Sequence, residues 1–217
     1  EKADKYFNFA LGLIIERNYS SAYDYLNQAI ELYDQKADYF YFKGLASYYL
    51  HRDDARESIN KAISINPNNT DYQLWYSIIC YEEKDYQEAK KTLLLLYASI
   101  GEKEERVSIY LARVFNELNE PDKAIEMFQF GLGFQNLSGK QWFELGYSYF
   151  LKYEFKNAID AFYRCADTGE RDLNALFFIS NIHCKTGDFD ESINVLKKMR
   201  EKFPQEEGEI NSQISAV

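Results

Sequence analysis

Small and large apolar residues return in step along this chain. Ala22, Ala55, Ala89, Ala124, Ala158 and Ser192 recur at intervals of 33, 34, 35, 34 and 34 residues. Four positions after each stands a large apolar side chain: Leu26, Ile59, Leu93, Phe128, Phe162 and Leu196. A second series, Ala10, Gly44, Ser77, Ala112, Gly146 and Ser180, recurs at 34, 33, 35, 34 and 34. Around Gly146 the residues Trp142, Leu145 and Tyr149 share one face of a helix, at spacings i, i+3 and i+7. Two phase-locked series predict two helices per unit, meeting where nothing larger than Ala or Ser fits. Pro67, Gly101, Gly169 and Pro204 fall where helices end, and Asn66 to Asn69 reads as a turn. With 10 Gly and 3 Pro in 217 residues, helix is predicted throughout.

The residues at these positions resemble the tetratricopeptide repeat (TPR) family, whose unit is a helix-turn-helix. The fifth unit carries the resemblance best, with Trp142, Leu145, Gly146 and Tyr149 on its first helix and Phe155, Ala158 and Phe162 on its second. The second unit closes with Ala62 and Pro67, the third has Asp85-Tyr86 before Ala89, and the sixth has Gly187-Asp188-Phe189 and closes with Pro204. Lys43, Gln73 and Ser108 depart from the apolar pattern, and the turn at Arg52-Asp53-Asp54 is one residue short. The resemblance implies an all-α, right-handed α-solenoid superhelix of six antiparallel repeats with a concave and a convex surface. The expected units are about 3–36, 37–69, 70–103, 104–137, 138–171 and 172–204. Residues 205–217 are expected to form an acidic frayed tail or a short cap through Glu209 to Val217.

The formal charge of −10, from 25 basic and 35 acidic residues, argues against nucleic-acid binding, which needs Lys and Arg to neutralise phosphates. No apolar run approaches a membrane span. The expected location is cytoplasmic; the chain begins at Glu1 rather than Met, which reads as a cut or processed product and leaves room for an upstream signal or anchor. Cys80, Cys165 and Cys184 are odd in number and widely spaced, the pattern of reduced core thiols. Triplets of the Asn-x-Ser/Thr type at Asn18, Asn68 and Asn136 are close to chance frequency and carry little weight.

No catalytic residue, cofactor site or metal site is predicted. His51 ends a helix, where the dipole favours a cation. His183 lies on an apolar face, and Cys184 points about 100° away from it around the helix. Gly131-Leu132-Gly133-Phe134 lacks the Lys and the preceding strand of a phosphate loop and reads as a helix C-cap.

The informative surplus is a second stripe on each first helix: Phe7, Leu11, Ile14; Tyr41, Leu45, Tyr48; Leu74, Ile78, Tyr81; Ile109, Arg113, Asn116; Phe143, Tyr147, Phe150; Phe177, Asn181, Cys184. Phe42, Trp75, Tyr110 and Phe178 flank it. Part of the stripe must pack against the next first helix. Left uncovered, the whole stripe would exceed the apolar patch usual for a monomer, and the remainder supports a groove. By resemblance it lines a concave groove that receives an extended or helical polypeptide. The candidate groove residues are Phe7, Tyr41, Leu45, Tyr48, Leu74, Trp75, Ile78, Tyr81, Tyr110, Arg113, Phe143, Tyr147, Phe177 and Asn181. Arg113 has two readings: a pair with Glu117 one turn on, or a clamp for a ligand carboxylate or carbonyl. TPR grooves that hold an acidic C-terminus present Lys and Asn, where this chain has Phe7, Leu11, Phe42, Asp71 and Trp75. The function expected is therefore a protein–protein interaction scaffold whose partner has apolar or aromatic anchors and basic flanks. The alternative is a self-assembling scaffold, a homo-oligomer or one whose groove is filled by its own terminus.

Overall fold

A computed structural model of the chain describes residues 1–100, 105–132, 137–169 and 171–217. Among them the chain is helical, with no strand. It divides into two compact units, Glu1–Gly101 and Glu102–Val217. The first holds α1 (Lys2–Ile15), α2 (Tyr19–Leu32), α3 (Ala37–Tyr49), α4 (Ala55–Ile65), α5 (Thr70–Glu82) and α6 (Tyr86–Ile100). The second holds α7 (Glu105–Glu117), α8 (Pro121–Glu126), α9 (Gly139–Leu151), α10 (Phe155–Thr168), α11 (Asp172–Thr186), α12 (Phe189–Lys202) and α13 (Glu207–Ala216). Helices adjacent in sequence pack on one another within each unit, in antiparallel pairs such as α3 with α4 and α9 with α10.

The small-residue series is the line along which the pairs touch. Ala10, Ala22, Ala89, Ala112, Ala124 and Ala158 are fully buried, as are Ser77 and Ser192. A Cβ built on Gly44 would stand 2.6 Å from Ile59, and one on Gly146 would stand 2.8 Å from the Phe162 ring. In the last pair the small residues are polar, and they meet the demand for partners themselves: Ser180 Oγ lies 2.8 Å from Ser192 Oγ, and Cys184 Sγ lies 3.0 Å from the same oxygen.

All six turns between paired helices share one geometry. Arg17, His51, Lys84, Asn119, Tyr153 and Gly187 each adopt positive φ, between 53° and 80°. In each, the next residue's N–H reaches back across the turn, as Asn18 to the Leu13 carbonyl and Asp85 to the Cys80 carbonyl, both at 2.8 Å. This bond satisfies carbonyls that a helix end would otherwise orphan. Five of the six are not glycine, so the hydrogen bonds and packing hold a conformation that L-residues disfavour by about 1–2 kcal/mol.

A polar ladder ties successive first helices together. The Tyr39 hydroxyl donates to Asp4 Oδ1 at 2.9 Å, and the Tyr72 hydroxyl donates to Asp38 Oδ1. In the second unit Gln141 takes the same role, donating from Nε2 to Glu105 Oε1 at 3.1 Å while its Oε1 accepts the Ser138 N–H in a capping box. The Lys36 ammonium and the Tyr39 hydroxyl hold the Asp4 carboxyl well below its usual range. Burial, together with the Asp4 contact, pushes the Tyr39 phenol up to about 12.

One element differs from the sequence expectation. The second helix of the fourth pair runs as α8 for only six residues and continues as a π-helix, Met127–Leu132, which keeps Phe128 fully buried. Gly131 therefore lies within a wide helical turn; Gly133, Phe134 and Asn136 lie outside the described residues. The C-terminal residues form a 3-10 turn at Pro204–Glu206 and then α13, which is docked by the fully buried Ile210.

Two substitutions test this packing. Gly146→Ala is expected to destabilise by about 1–3 kcal/mol through overpacking against Phe162. Gly12→Ala, whose Cβ would meet nothing within 4 Å, should instead gain up to about 1 kcal/mol of helix propensity. Urea unfolding of both decides, and equal shifts would refute the close-contact seam. Lys84→Gly should relieve the left-handed turn and, net of glycine's greater unfolded entropy, stabilise by about 0.5–1 kcal/mol. Asn119→Gly, where the residue already tolerates that conformation, should change the same midpoint less.

Candidate functional site

The structure sorts the candidate groove residues by depth. Phe7 and Leu45 at 8% exposure, Ile78 at 5% and Leu74 at 2% are interior. Buried to this depth, they offer a partner no contact surface. Tyr41, Tyr48, Trp75 and Tyr81 are half-buried, as are Tyr110, Arg113, Phe143, Tyr147 and Phe177; Asn181 is exposed.

In the first unit, ring contacts gather Tyr48 and Trp75 at 5.6 Å, edge to face. Tyr41 is engaged by Tyr72 at 4.7 Å and by Phe42 at 5.0 Å. Tyr81 turns to Tyr86 of α6, 5.6 Å away. Tyr49, which the stripe pattern passes over, is 46% exposed and meets both Tyr48 at 5.3 Å and Trp75 at 6.3 Å.

In the second unit Phe178 is the hub. Phe143, Tyr147 and Phe150 approach it at 5.5, 5.9 and 5.5 Å, all near perpendicular. Phe177 and Asn181 stand apart from this cluster and, with Cys184, line a cleft whose other wall is Glu209, Gln213 and Val217 of α13.

Arg113 corrects the local reading of the sequence. Its Nε donates to Glu144 Oε1 of α9 at 2.8 Å, and its guanidinium lies 4.8 Å from the Tyr110 ring centroid. Glu117 is exposed and is not its partner. The cause is depth: Arg113 and Glu144 are only 14% and 15% exposed, so the pair between helices forms where water screens least. Burial pushes the Glu144 carboxyl above the usual carboxylate range, against the opposing pull of Arg113. Asn116 donates to the Glu144 carbonyl at 3.4 Å, while Glu144 Oε2 and Asn116 Oδ1 find no partner among the described residues.

No family model matches the chain. A TPR repeat-containing protein of Methanocaldococcus jannaschii is 22% identical over 213 residues, which covers 89% of this chain and 35% of that protein. The chain thus spans about a third of that relative's length. The solved structure of pilF from Pseudomonas aeruginosa superposes with a TM-score of 0.75 at 22% identity over 98% of each chain. The C-terminal part of a TPR repeat-containing protein from Cytophaga hutchinsonii superposes with a TM-score of 0.76 at 15% identity, over 97% of this chain and 86% of that one. The chain has the tetratricopeptide-repeat fold.

Within this TPR fold the titratable side chains occupy structural positions. His183 Nδ1 lies 3.5 Å from Asp188 Oδ2 beside the turn, and His51 is itself a left-handed turn residue. Cys80 and Cys165 are buried and Cys184 is partly so, all as free thiols; burial pushes the Cys80 thiol up to about 11. Among the described residues no three His, Cys, Asp or Glu side chains gather into a metal-binding group.

The TPR pair Arg113 and Glu144 yields a pH test. A carboxyl whose folded pKa is raised adds stability below its unfolded pKa and loses it as pH rises through the folded value. Arg113→Ala removes the charge that opposes this rise. It is expected to cost about 3 kcal/mol at about pH 8 and less than half of that at about pH 5, once Glu144 takes up a proton. Urea unfolding at both pH values checks this; a cost that does not shrink in acid contradicts the buried pairing.

Proposed function

We propose that this chain is a protein–protein interaction scaffold that receives a partner polypeptide, extended or helical, along the aromatic face of its first helices. One observation carries the reading. While Leu45, Leu74 and Ile78 are buried, the rings of Tyr48, Tyr49 and Trp75 stand together and partly open to solvent. Rigid amphipathic rings of this kind give large contact area at low entropic cost. The TPR fold supports the scaffold reading in general terms. On this reading the chain carries six repeats, at 3–36, 37–69, 70–103, 104–137, 138–171 and 172–204, and no catalytic step is assigned to it.

The charge of −10 favours a partner with basic flanks and disfavours nucleic acid. Among the described residues no helix is long and apolar enough to cross a membrane. A second reading, a scaffold whose groove is filled by its own terminus or by another copy, draws on the cleft between α11 and α13, where the C-terminal helix walls the stripe residues Phe177, Asn181 and Cys184. Light scattering across a concentration series tests the second form of that reading, because a strict monomer excludes filling by another copy.

The principal test is selection of peptides from a displayed library on the folded protein. Selected peptides are expected to lose about ten-fold or more in affinity for the Tyr48→Ala/Trp75→Ala variant, at unchanged helical circular dichroism. Equal affinity for the parent and this variant would overturn the groove assignment.

A further inference from the structure

We propose that the corner formed by Tyr48, Tyr49 and Trp75 in the first unit receives a cationic side chain of the partner polypeptide, arginine in particular. The inference rests on the groove reading above and adds the chemistry of its anchor. Tyr49 is the last residue of α3, and Tyr19 stacks on its ring at 4.4 Å and 14°. Its contacts with Tyr48 and Trp75 are edge to face, at 75° and 65°, as is that between Tyr48 and Trp75, at 69°. Ring faces carry the negative lobe of the aromatic quadrupole, and a cation gains from lying within about 6 Å of one.

Elsewhere the protein uses its own cations in this way. Lys61 stands over Phe40 at 5.9 Å, Arg56 over Tyr76 at 5.3 Å, Arg164 over Trp142 at 4.8 Å and Lys185 over Phe150 at 5.8 Å. Among the described residues no Lys or Arg stands over Tyr49 or Trp75. Three cations of this unit are engaged with other partners. Lys43 pairs with Asp54 at 3.5 Å and faces Tyr23, and Arg52 lies over Tyr23 at 4.2 Å. Arg56 bridges Glu83 at 3.1 Å and Asp85 at 2.8 Å.

The helix that carries Trp75 contributes acidic charge only. α5 carries Asp71 and Glu82 and no Lys or Arg. Glu82 is exposed, seven residues beyond Trp75, and so on the same helix face about 10 Å further along. α3 ends at Tyr49, which places the negative end of its dipole at the corner. An aliphatic anchor would use the rings but none of this charge. A guanidinium uses both, since it is flat, stacks on rings and is weakly hydrated compared with ammonium.

The protein's 2 Trp residues make the corner observable, because Trp142→Phe leaves Trp75 as the sole indole. The probes are the peptide acetyl-GLRLG-amide, its citrulline counterpart of the same shape without charge, and the proline-rich acetyl-PPLPP-amide. The arginine peptide is expected to half-saturate the change in Trp75 emission at a concentration at least about five-fold lower than the citrulline peptide. That ratio should fall below about two-fold in Tyr49→Leu, which keeps apolar bulk but removes the ring face, and should narrow in Glu82→Gln. Circular dichroism of each variant verifies folding. Equal half-saturation by arginine and citrulline peptides, tighter binding of the proline peptide, or no response to any probe overturns the cationic anchor. The groove reading is judged separately by library-selected peptides on Tyr48→Ala/Trp75→Ala, so either can fail alone.

Discussion

The structure depends on how closely the two helices of each pair approach. At Gly44 and Gly146 not even a methyl group fits without displacing Ile59 or Phe162, and those two side chains are fully buried because the opposite helix leaves them that space. An approach this close uses up only one face of the first helix. The other apolar face, which in α3 includes Tyr41, Leu45 and Tyr48, still has to be covered. For α3 the covering element includes the first helix of the next pair, α5, whose Tyr72 and Trp75 meet Tyr41 and Tyr48, so within a unit a pair relies on its neighbour for stability, as repeat proteins do in general. The ladder of Tyr39 to Asp4 and Tyr72 to Asp38 sits at this second contact. Tight pairing thus both creates the demand for stacking and sets where stacking happens.

What could be read in advance follows the range over which each cause acts. The small-residue period and the large residue four positions later were legible because a helix brings those positions together whatever lies beyond it. The turn at Arg52-Asp53-Asp54 was legible in place but not in conformation, and Arg17, Lys84 and Tyr153 carry no sign in the sequence of the positive φ that the turn hydrogen bonds impose on them. Depth was not legible either. A stripe at i, i+4 and i+7 identifies a face but not how deeply its residues are buried, and so Leu74 and Ile78 turned out interior while Tyr49, off the stripe, stands exposed.

Polar partnerships were the least legible. Glu117 is one turn from Arg113 in sequence, yet Arg113 pairs with Glu144, 31 residues away. An exposed pair at i, i+4 is worth only a few tenths of a kcal/mol, whereas a carboxylate carried into a half-dry gap between helices needs a charge beside it. The longer-range partner therefore wins wherever stacking buries one of the two. The same rule explains why Gln141, unremarkable in the sequence, both caps α9 and reaches Glu105 of α7.

The aromatic surplus then divides by what each ring does with its second side. Phe162 and Phe128 give both sides to the core. Tyr39 and Tyr72 fill the gap between first helices and use the hydroxyl as a ladder rung, work that phenylalanine could not do; at the equivalent place in the second unit an amide suffices. Tyr41 lies on the candidate stripe but has its ring committed to Tyr72 and Phe42. The number of aromatic residues on the first helices therefore overstates the surface open to a partner. In the first unit what remains is the smaller set at the end of α3 and along α5, where Tyr48, Tyr49 and Trp75 brace one another edge to face. Because that bracing holds the rings in place before anything binds, a partner docking there need not supply the entropy of ordering them, which is the main reason a small aromatic corner can act as an anchor.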